Sequence, residues 1–451
     1  MKTRFKYFMM AAVLAAGFTS CSDSDDEGGG VEGQGKPTTM TIKFSAPVST
    51  YASNGDDNAI DAETVLGRAA VFVYSTSGAY QTHKELSQSD FVYDDVNHVY
   101  NAQTNVDAST GEKLIYVGIN LPDGMVNAIK SGGVYAEYVL SNPNLLYSAI
   151  VSGGTSGGFA MFNEKIEKKT LVEDASQNVF EINVKRMAAK VTVQETADLE
   201  KTGISKVTIG DLDFCMGLLN TKIFPMQKLS GSTVVDPNYT PANTSGIGDQ
   251  PSYYQDFVNE FRASTSDPIN VSAYLPVNTA ATAVESRNVK YAPENTSENH
   301  YRGESTFASV RAKFTPEKFA SYDGANLTET ENTANAQPAL IYLVTTEGGE
   351  HYYFTDQTEA NDYASSLTNA TLYTPYRDCY CYYTVFLNKG GSNDVLRNDY
   401  YAVSITAINS IGYPDPEVVE PGRPISKDTQ ITVNVTVQNW NLVNDPQVLE
   451  K

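Results

Sequence analysis

Alternation of apolar and polar residues indicates a strand near the start of the chain. In residues 39–48, TMTIKFSAPV, the apolar side chains share one parity: Met40, Ile42, Phe44, Ala46 and Val48. Thr, Lys and Ser occupy most of the other parity. A period of two is typical of a strand with one buried face. We therefore predict a first strand over these ten residues, preceded by a flexible segment and followed by a polar loop.

Similar runs recur along the whole chain. They predict strands at residues 65–74, 113–121, 179–193, 205–219, 271–277, 305–314, 339–345, 379–387, 400–409 and 430–440. The run at 179–193 splits into two around Arg186-Met187, and residues 123–130 predict a short helix with Asp123 at its N-cap. Short strands with irregular loops and few amphipathic helices favour a mainly β fold with two β-sandwich-like domains.

The domain boundary is expected near Glu195 to Gly203. This division gives an N-terminal domain at residues 39–198 and a C-terminal domain at residues 199–451. Both are long enough to bury a core of their own.

The first residues have the pattern of a targeting segment. Three basic residues precede an apolar run at 8–18, which is too short to span a bilayer as a helix. The run ends in Phe18-Thr19-Ser20-Cys21, which resembles a bacterial lipobox. The resemblance implies a signal peptide over residues 1–20, cleavage before Cys21 and acylation of its thiol. An ordinary secretory signal with a chance cysteine is the alternative.

An acidic, Gly-rich tether follows at residues 21–38. Its run Ser22 to Glu27, SDSDDE, resembles the surface-export signal of Bacteroidetes lipoproteins, and it also fits a solvated spacer. Residues 28–35 are mostly Gly, as in flexible linkers.

Charge limits the partners. The chain of 451 residues carries 32 Lys and Arg against 54 Asp and Glu, a formal net charge of -22. An acidic surface repels nucleic acid and anionic membranes, so we expect no nucleic-acid partner.

Few residues are available for metal or redox chemistry. The four His show no ligand spacing, which predicts no metal site and no cofactor. Beyond Cys21 the cysteines are Cys215, Cys379 and Cys381, an odd number that argues against a disulfide framework. We interpret these three as cysteines of the core or of a sheet edge.

Two motifs match the spacing of enzyme sites and lack their context. Residues 154–158, GTSGG, have the spacing of a nucleophile elbow, which requires a strand before it and a helix after it. Residues 28–33, GGGVEG, match a dinucleotide fingerprint that follows no strand. We therefore predict no catalytic residue and no enzyme.

Four further motifs carry a resemblance to a known family. They are YRGESTF at 301–307, VRAKFTP at 310–316, VLRNDYY at 395–401 and VNVTVQNW at 433–440. With the lipobox and the first strand, they resemble the fimbrillins, the subunits of type V pili. The C-terminal motifs are most similar to the stalk subunits of minor fimbriae.

The resemblance implies a fold and an assembly mechanism. Family members have two transthyretin-like β-sandwich domains that are open to donor-strand exchange. A protease removes the first strand, and the C-terminal strand of a neighbouring subunit fills the groove. The implied protein is a structural subunit of a surface fimbria that supports adhesion. Its partners would be copies of itself, other pilus subunits, the outer membrane through the lipid anchor of the precursor, and a host or bacterial surface ligand.

The implied cut falls between Tyr51 and Ala52, which would make residues 39–51 removable. Family members have a basic residue at the position of Tyr51, so either another protease cuts here or the chain remains an uncut anchor subunit. The nearby Arg68 lies within a predicted strand, and we therefore discount it as a cut site.

The C-terminal residues 430–451 fit the donor role. The apolar positions of this donor segment are Ile431, Val433, Val435, Val437, Trp440, Leu442, Val443 and Val448. The apolar parity slips near Gln438-Asn439, as a β-bulge would explain. We interpret residues 430–440 as the last strand of their own domain and residues 441–451 as the extension available for donation. The Pro-rich residues 412–428 predict a stiff, exposed link before it.

A different class of protein remains open. The chain could be a non-polymerising surface lipoprotein, an adhesin or a glycan-binding protein whose 29 tyrosines provide stacking platforms. A C-terminal strand that pairs within its own chain would favour this alternative.

Overall fold

The computed structural model describes eleven stretches of the chain. They are residues 35–45, 65–94, 99–140, 158–201, 206–239, 257–262, 269–282, 286–388, 391–418, 420–425 and 431–439. The strands and helices given below all belong to one compact unit, Lys36–Lys451.

The first half of this unit is built mainly from short strands. In chain order the elements are β1 (Pro37–Ser45), β2 (Arg68–Ser75), β3 (Tyr80–Ser87), β4 (Phe91–Asp94), β5 (Val99–Ala102), β6 (Val106–Ser109), β7 (Gly111–Ile119), α1 (Asp123–Gly132), β8 (Tyr138–Val139), β9 (Met161–Asn163), β10 (Glu167–Leu171) and β11 (Val179–Arg186).

Strands also dominate the second half. These elements are β12 (Ala188–Lys201), β13 (Val207–Gly217), β14 (Leu219–Asn220), β15 (Lys222–Ile223), β16 (Lys228–Ser230), β17 (Thr233–Val235), β18 (Phe257–Val258), β19 (Leu275–Pro276), β20 (Val289–Pro293), β21 (Phe307–Pro316), β22 (Lys318–Tyr322), β23 (Leu327–Glu331), β24 (Leu340–Thr345), β25 (His351–Phe354), α2 (Gln357–Ser366), β26 (Thr371–Leu372), β27 (Tyr376–Arg377), β28 (Tyr380–Phe386), β29 (Asp399–Ile408) and β30 (Ile431–Asn439).

One ten-stranded sheet contains nearly all strands up to β11. Its order is β3-β2-β7-β9-β11-β1-β5-β4, with β10 paired to β7 and β6 paired to β1. The six inner residues of β2 are all buried, and its sequence AAVFVY is correspondingly apolar on both parities. This is the pattern expected where both faces of a strand are covered.

The later strands form three larger sheets. Their orders are β20-β12-β29-β30, β19-β13-β21-β28 and β23-β22-β25-β24-β26. β12 pairs in parallel with β29 and antiparallel with β20, so this sheet joins residues from distant parts of the sequence. A single apolar core contains buried side chains of β1, β2, β12, β13, β21 and β29.

The predicted fold class is confirmed, because the structure is mainly β with a few short helices. Both runs of the 179–193 segment form strands, and the break falls at Met187 as predicted. The predicted domain boundary between residues 198 and 199 lies inside β12. The change between sheets falls earlier, at Met187: β11 before it pairs with β9, and β12 after it pairs with β29. The division into two sandwich domains stays a prediction.

Two local predictions need correction. Asp123 is the first residue of α1 instead of its N-cap, because Pro122 occupies the cap position and its carbonyl accepts the N–H groups of Met125 and Val126. The strand predicted at 271–277 is only Leu275–Pro276, preceded by a 3-10 turn at Val271–Ala273.

The sheet β23-β22-β25-β24-β26 and helix α2 complete the C-terminal half. The carboxylate of Asp356 caps α2 by accepting the backbone N–H groups of Thr358 and Glu359. Ala360 and Tyr363 of this helix pack with Val344 and Phe354 of the sheet in a second apolar cluster. The sequence analysis missed this helix because only a few of its ten residues are apolar.

A candidate strand-exchange interface at β1

β1 lies in the interior of its sheet, with neighbours on both edges. Residues Thr41 to Ser45 pair in parallel with Val179 to Asn183 of β11. On the other edge, Pro37 to Met40 pair antiparallel with β6, and Lys43 and Phe44 pair with β5. Removal of β1 would therefore expose unpaired backbone groups on strands that flank it on both sides.

The buried face of β1 is the one that the alternation predicted. Met40, Ile42 and Phe44 are fully buried. The ring of Phe44 lies 5.1 Å from that of Phe91 and 5.5 Å from that of Tyr100. Burial of each such side chain stabilises the fold by about 1.5–3 kcal/mol relative to exposure. The same three side chains would leave an apolar groove if the strand were absent.

Asn178 holds the start of β1 through its side chain, which is fully buried. Its Nδ2 atom lies 3.0 Å from the carbonyl oxygen of Thr39, 3.1 Å from Oγ1 of Thr38 and 2.8 Å from the carbonyl oxygen of Val172. Its Oδ1 atom accepts the N–H of Val172 at 2.9 Å. Sequence analysis did not single out Asn178, because nothing in its neighbourhood distinguishes it from an ordinary loop residue.

A surface ion pair marks the first residues before β1. Lys36 Nζ lies 2.8 Å from Glu173 Oε1, and this partner raises the pKa of the lysine. Both side chains are exposed, so the pair contributes little to stability.

Several predicted site residues lie outside the described part of the chain. Ala46 and Val48 of the removable strand, the proposed cut at Tyr51-Ala52 and the lipidation site Cys21 belong to this group. Their roles remain predictions.

Arg68 is held at the start of β2. Its guanidinium pairs with Asp123 at 2.6 Å and donates to the carbonyl oxygen of Leu121, and its backbone pairs in the β2–β3 ladder. A protease needs an extended, accessible segment, so this position does not suit a cut.

The C-terminal strand β30 pairs within its own chain. It lies at the edge of its sheet, antiparallel to β29, from Ile431 opposite Ile408 to Asn439 opposite Asp399. Ile431 is buried, and Val433, Val435 and Val437 are half-buried on the same face. Of the strand predicted at residues 430–440, Ile431–Asn439 forms a strand, and its assignment as the last strand of a C-terminal domain stays a prediction. Trp440, Leu442, Val443 and Val448 lie outside the described residues.

The link before β30 is not the exposed segment that we expected. Tyr413 and Tyr382 exchange two backbone hydrogen bonds of 2.8 Å, and Arg302 N–H donates to the carbonyl oxygen of Arg423 at 2.9 Å. Gly412, Pro416 and Val418 of the link are buried. The stiffness of the link stays a prediction, but its described backbone finds partners on β28 and in the turn at Arg302.

The fimbrillin-like motifs at 301–307 and 395–401 meet in a polar network. A backbone bridge joins Asn295 and Val395, and Asn295 Nδ2 donates to Thr306 Oγ1 at 2.9 Å. Arg397 pairs with Glu294 at 2.6 Å in the interior. These residues hold loops together, and we assign them a structural role.

The three described cysteines are free and buried. Burial raises the pKa of the Cys379 and Cys381 thiols to about 11, and the thiol of Cys381 donates to the carbonyl oxygen of Ala312. β28 begins at Tyr380, so Cys379, the first residue of the strand predicted at 379–387, precedes the observed strand and has a positive φ of 58°.

No group of three or more His, Cys, Asp and Glu capable of holding a metal ion occurs among the described residues. Of the four His, His98 is outside that part, and burial is the main cause that lowers the pKa of His83 and of His351. Of the elbow-like segment 154–158, only Gly158 is described. None of the described helices is long and apolar enough to cross a membrane.

A known protein family matches the C-terminal part of the chain. Residues 374–445 match the family of the major fimbrial subunit protein type IV, fimbrillin, C-terminal region. This match covers β28, β29 and β30 and confirms the resemblance to fimbrillins that the sequence motifs indicated. Over residues 374–445 the chain is thus similar to the fimbrillin C-terminal region. No curated protein sequence matches it.

Several solved structures are similar over most of the chain. A protein of Parabacteroides distasonis assigned to cell adhesion is 12% identical, with 90% of this chain and 100% of that chain covered and a TM-score of 0.49. A fimbrilin of Porphyromonas gingivalis is 13% identical, with 90% and 99% covered and a TM-score of 0.47. The tip fimbrial protein of Porphyromonas gingivalis is also 13% identical, with 90% and 100% covered and a TM-score of 0.37.

Proposed function

We propose that the chain is a stalk-type structural subunit of a surface fimbria that polymerises by strand exchange. The precursor is exported as an outer-membrane lipoprotein through Cys21, and a protease removes β1 by cutting between Tyr51 and Ala52. The C-terminal segment of another copy then takes the place of β1. The observation that supports this proposal best is the interior position of β1, which is the first described strand and lies next to the loop with the proposed cut.

The physical driving force comes from what the missing strand leaves behind. Without Met40, Ile42 and Phe44, an apolar groove faces water, and the neighbouring edges of β11, β5 and β6 lose their hydrogen-bond partners. A donated strand restores both kinds of interaction at once. Because β1 and β30 belong to different sheets, the contact is head-to-tail and can repeat into a filament.

Two segments within residues 430–451 are candidates for the donated strand. β30 has the right alternation, and as an edge strand it loses only one neighbour, β29, when it leaves. The extension at 441–451 can act while β30 stays paired. We favour the extension, since the release of β30 would expose Ile431, which is 2% exposed in the paired state.

The pairing of β30 within its own chain also favours a second candidate. A subunit whose C-terminal strand stays in place would act as a non-polymerising surface lipoprotein, an adhesin or glycan-binding protein. An uncut chain that keeps β1 could still donate its C-terminal segment, and it would then serve as the anchor subunit.

N-terminal sequencing of protein from sheared surface filaments tests the maturation step. A start at Ala52 is the expected result. A lipidated Cys21 with residues 39–48 still attached would contradict the stalk role and would favour the anchor or the monomeric lipoprotein.

The donor is tested with variants in cells that assemble filaments. Deletion of residues 441–451 should abolish polymers and leave folded monomers, whereas Val435→Asn should have less effect if the extension is the donor. Asn434→Asp, on the opposite face of the same strand, is the matched control. Normal filaments after the deletion would exclude residues 441–451 as the donor. Normal filaments both after the deletion and in Val435→Asn would contradict strand exchange through residues 430–451.

A further inference from the structure

The side chain of Asn178 extends the hydrogen-bond ladder between β1 and β11. The parallel pairing of the two strands begins at Thr41 opposite Val179, where the carbonyl oxygen of Asn178 accepts the N–H of Thr41 at 2.9 Å. In a regular parallel ladder, the N–H of Asn178 would donate to the carbonyl oxygen of Thr39. This N–H instead donates to the carbonyl oxygen of Ala175 at 3.1 Å, and the side-chain Nδ2 donates to Thr39 at 3.0 Å in its place.

The contacts that orient this amide come from the connection between β10 and β11. Oδ1 of Asn178 accepts the N–H of Val172 at 2.9 Å, and Nδ2 lies 2.8 Å from the carbonyl oxygen of the same valine. The 3-10 turn Ala175–Gln177 ends at Asn178 and is capped by Asp174, whose carboxylate accepts a backbone N–H of the turn. Because these contacts all belong to the connection, they would remain after the removal of β1.

Removal of β1 would leave three polar groups that face its place. The carbonyl oxygen of Asn178 would lose the N–H of Thr41, and Nδ2 of the same residue would lose the carbonyl oxygen of Thr39. The carbonyl oxygen of Val172 would lose the hydroxyl of Thr38, which donates to it at 2.8 Å. Asn178 is fully buried while β1 is in place. A strand that filled the groove without matching these groups would bury them unpaired, which is destabilising.

We propose that Asn178 sets the register of the strand that another copy of the chain donates into the groove. This inference rests on the strand exchange proposed above. The donor must offer a carbonyl oxygen at the position of Thr39 and an N–H two residues later, so proline cannot take the position of Thr41. A hydroxyl group fits the position of Thr38, whereas an apolar side chain there would lie against the amide without a hydrogen bond.

The geometry of a strand turns these contacts into a choice of register. A donor displaced by one residue would direct its carbonyl and N–H groups to the other edge and its apolar side chains out of the groove. In a donor with the alternation of β1, a displacement by two residues toward the start of the groove restores the backbone bonds. It also brings the side chain that matches Met40 to the position of Thr38. The positions of Met40 and Ile42 are both apolar and fully buried, so they distinguish such registers less sharply than Asn178 does.

Cysteine cross-linking within filaments tests this proposal. Val179→Cys marks the groove, because Val179 is exposed and lies opposite Thr41. In this background, single cysteines replace the residues from Ile431 to Leu449 one at a time, and filaments from cells that assemble them are oxidised. With Asn178 present, one donor position should give the dominant cross-link between subunits.

Asn178→Ala and Asn178→Asp should each spread the cross-links to donor positions two residues away. The ratio of the dominant to the displaced product should fall by about tenfold, as expected for the loss of one or two hydrogen bonds. Asn178→Asp separates hydrogen bonding from packing, because it keeps the size of the side chain and the acceptor for the N–H of Val172 and loses the donor. If a variant alone does not assemble, co-expression with wild-type subunits supplies mixed filaments for the same measurement.

Asn105→Ala is the matched control, because Asn105 is exposed and its side chain contacts the hydroxyl of Thr41. It should give the same dominant position as the chain with Asn178 and Asn105 intact. An unchanged dominant position in both Asn178 variants would overturn the register proposal and leave strand exchange intact. The absence of any cross-link between subunits in the chain with Asn178 would contradict strand exchange itself, and the register proposal with it.

Discussion

The guanidinium group of Arg397 lies 2.6 Å from the carboxylate of Glu294, and neither side chain is more than 4% exposed. Arg397 also donates to the carbonyl oxygens of Phe224 and Pro225, at 2.9 and 2.7 Å. The Arg397 side chain therefore connects three segments of the chain: its own segment before β29, the residue after β20 and the two residues after β15. Removing either charge would leave the other buried without its oppositely charged partner.

We predict that Arg397→Ala lowers the free energy of unfolding by about 3–5 kcal/mol, the range for a buried pair that loses one member. Urea denaturation followed by circular dichroism measures this change. Arg423→Ala is the control, because its ion pair with Glu420 is exposed, and the expected change is below about 1 kcal/mol. Equal effects of the two substitutions would contradict the structural role of the buried pair.

The packing of β1 gives a second prediction. Phe44→Ala in the uncut chain should lower the free energy of unfolding by about 3–5 kcal/mol, since the cavity lies between Phe91 and Tyr100. Lys43→Ala, the next residue on the opposite face, should have a small effect. Unfolding curves of both variants check this, and an unchanged midpoint for Phe44→Ala would be inconsistent with a strand that fills the core.

Asn178 should affect how firmly β1 is held. Asn178→Ala leaves the carbonyl oxygens of Thr39 and Val172 without their side-chain donor, at a cost of about 1–3 kcal/mol. Hydrogen exchange of the β1 amides should accelerate in this variant. Asn105→Ala is the control, since Asn105 is an exposed residue that accepts a hydrogen bond from Thr41 Oγ1. Unchanged hydrogen exchange of the β1 amides in Asn178→Ala would show that this side chain does not hold β1.

The buried carboxyl group of Asp236 should make the stability of the fold depend on pH. Burial raises the pKa of this carboxyl group from 3.8 to about 6, against hydrogen bonds from Thr296 and Asn238 that lower it. The folded chain therefore binds this proton more tightly than the unfolded chain. Its contribution to stability is fully present below pH 3.8 and is lost as the pH rises through 6.

The expected loss for Asp236 across this window is on the order of 3 kcal/mol. About half of this loss, roughly 1.5 kcal/mol, falls between pH 5 and pH 7.5. We compare urea denaturation of the wild type and Asp236→Asn at these two pH values, because the difference between the two proteins removes the contributions of other carboxyl groups. The wild type should lose stability relative to the variant as the pH rises. A constant difference would show that Asp236 does not titrate in this range.

The alternation of apolar and polar residues predicted β1 well. Every second side chain of this strand points into the core, so the alternation of Met40, Ile42 and Phe44 reports its burial directly. The same logic located β29 and β30 and the break at Met187. It missed helix α2, because that helix buries only Ala360 and Tyr363 among its described residues and has no strong apolar stripe.

Long-range contacts are the part that the sequence could not provide. The parallel pairing of β1 with β11 brings together residues more than 130 positions apart, and a single sequence contains no signal for the choice of partner. The hydrogen bonds from Asn178 to β1 and the Glu294–Arg397 ion pair depend on such long-range pairings. The link at 412–428 was predicted as exposed for the same reason, since the partners of its described residues lie on β28 and in the loop around Arg302.

The direct succession of β11 and β12 has a mechanical consequence. Only Met187, which is fully buried, separates the strand beside the proposed groove from the strand that pairs with β29. In a fibre assembled as proposed, tension applied by the neighbouring subunit at the groove would pass along β11 and β12 into β29, and from there to β30 and the next subunit. The pulling force would follow covalent backbone and the length of paired strands, a path with little slack, so such a fibre would resist stretching at the cell surface.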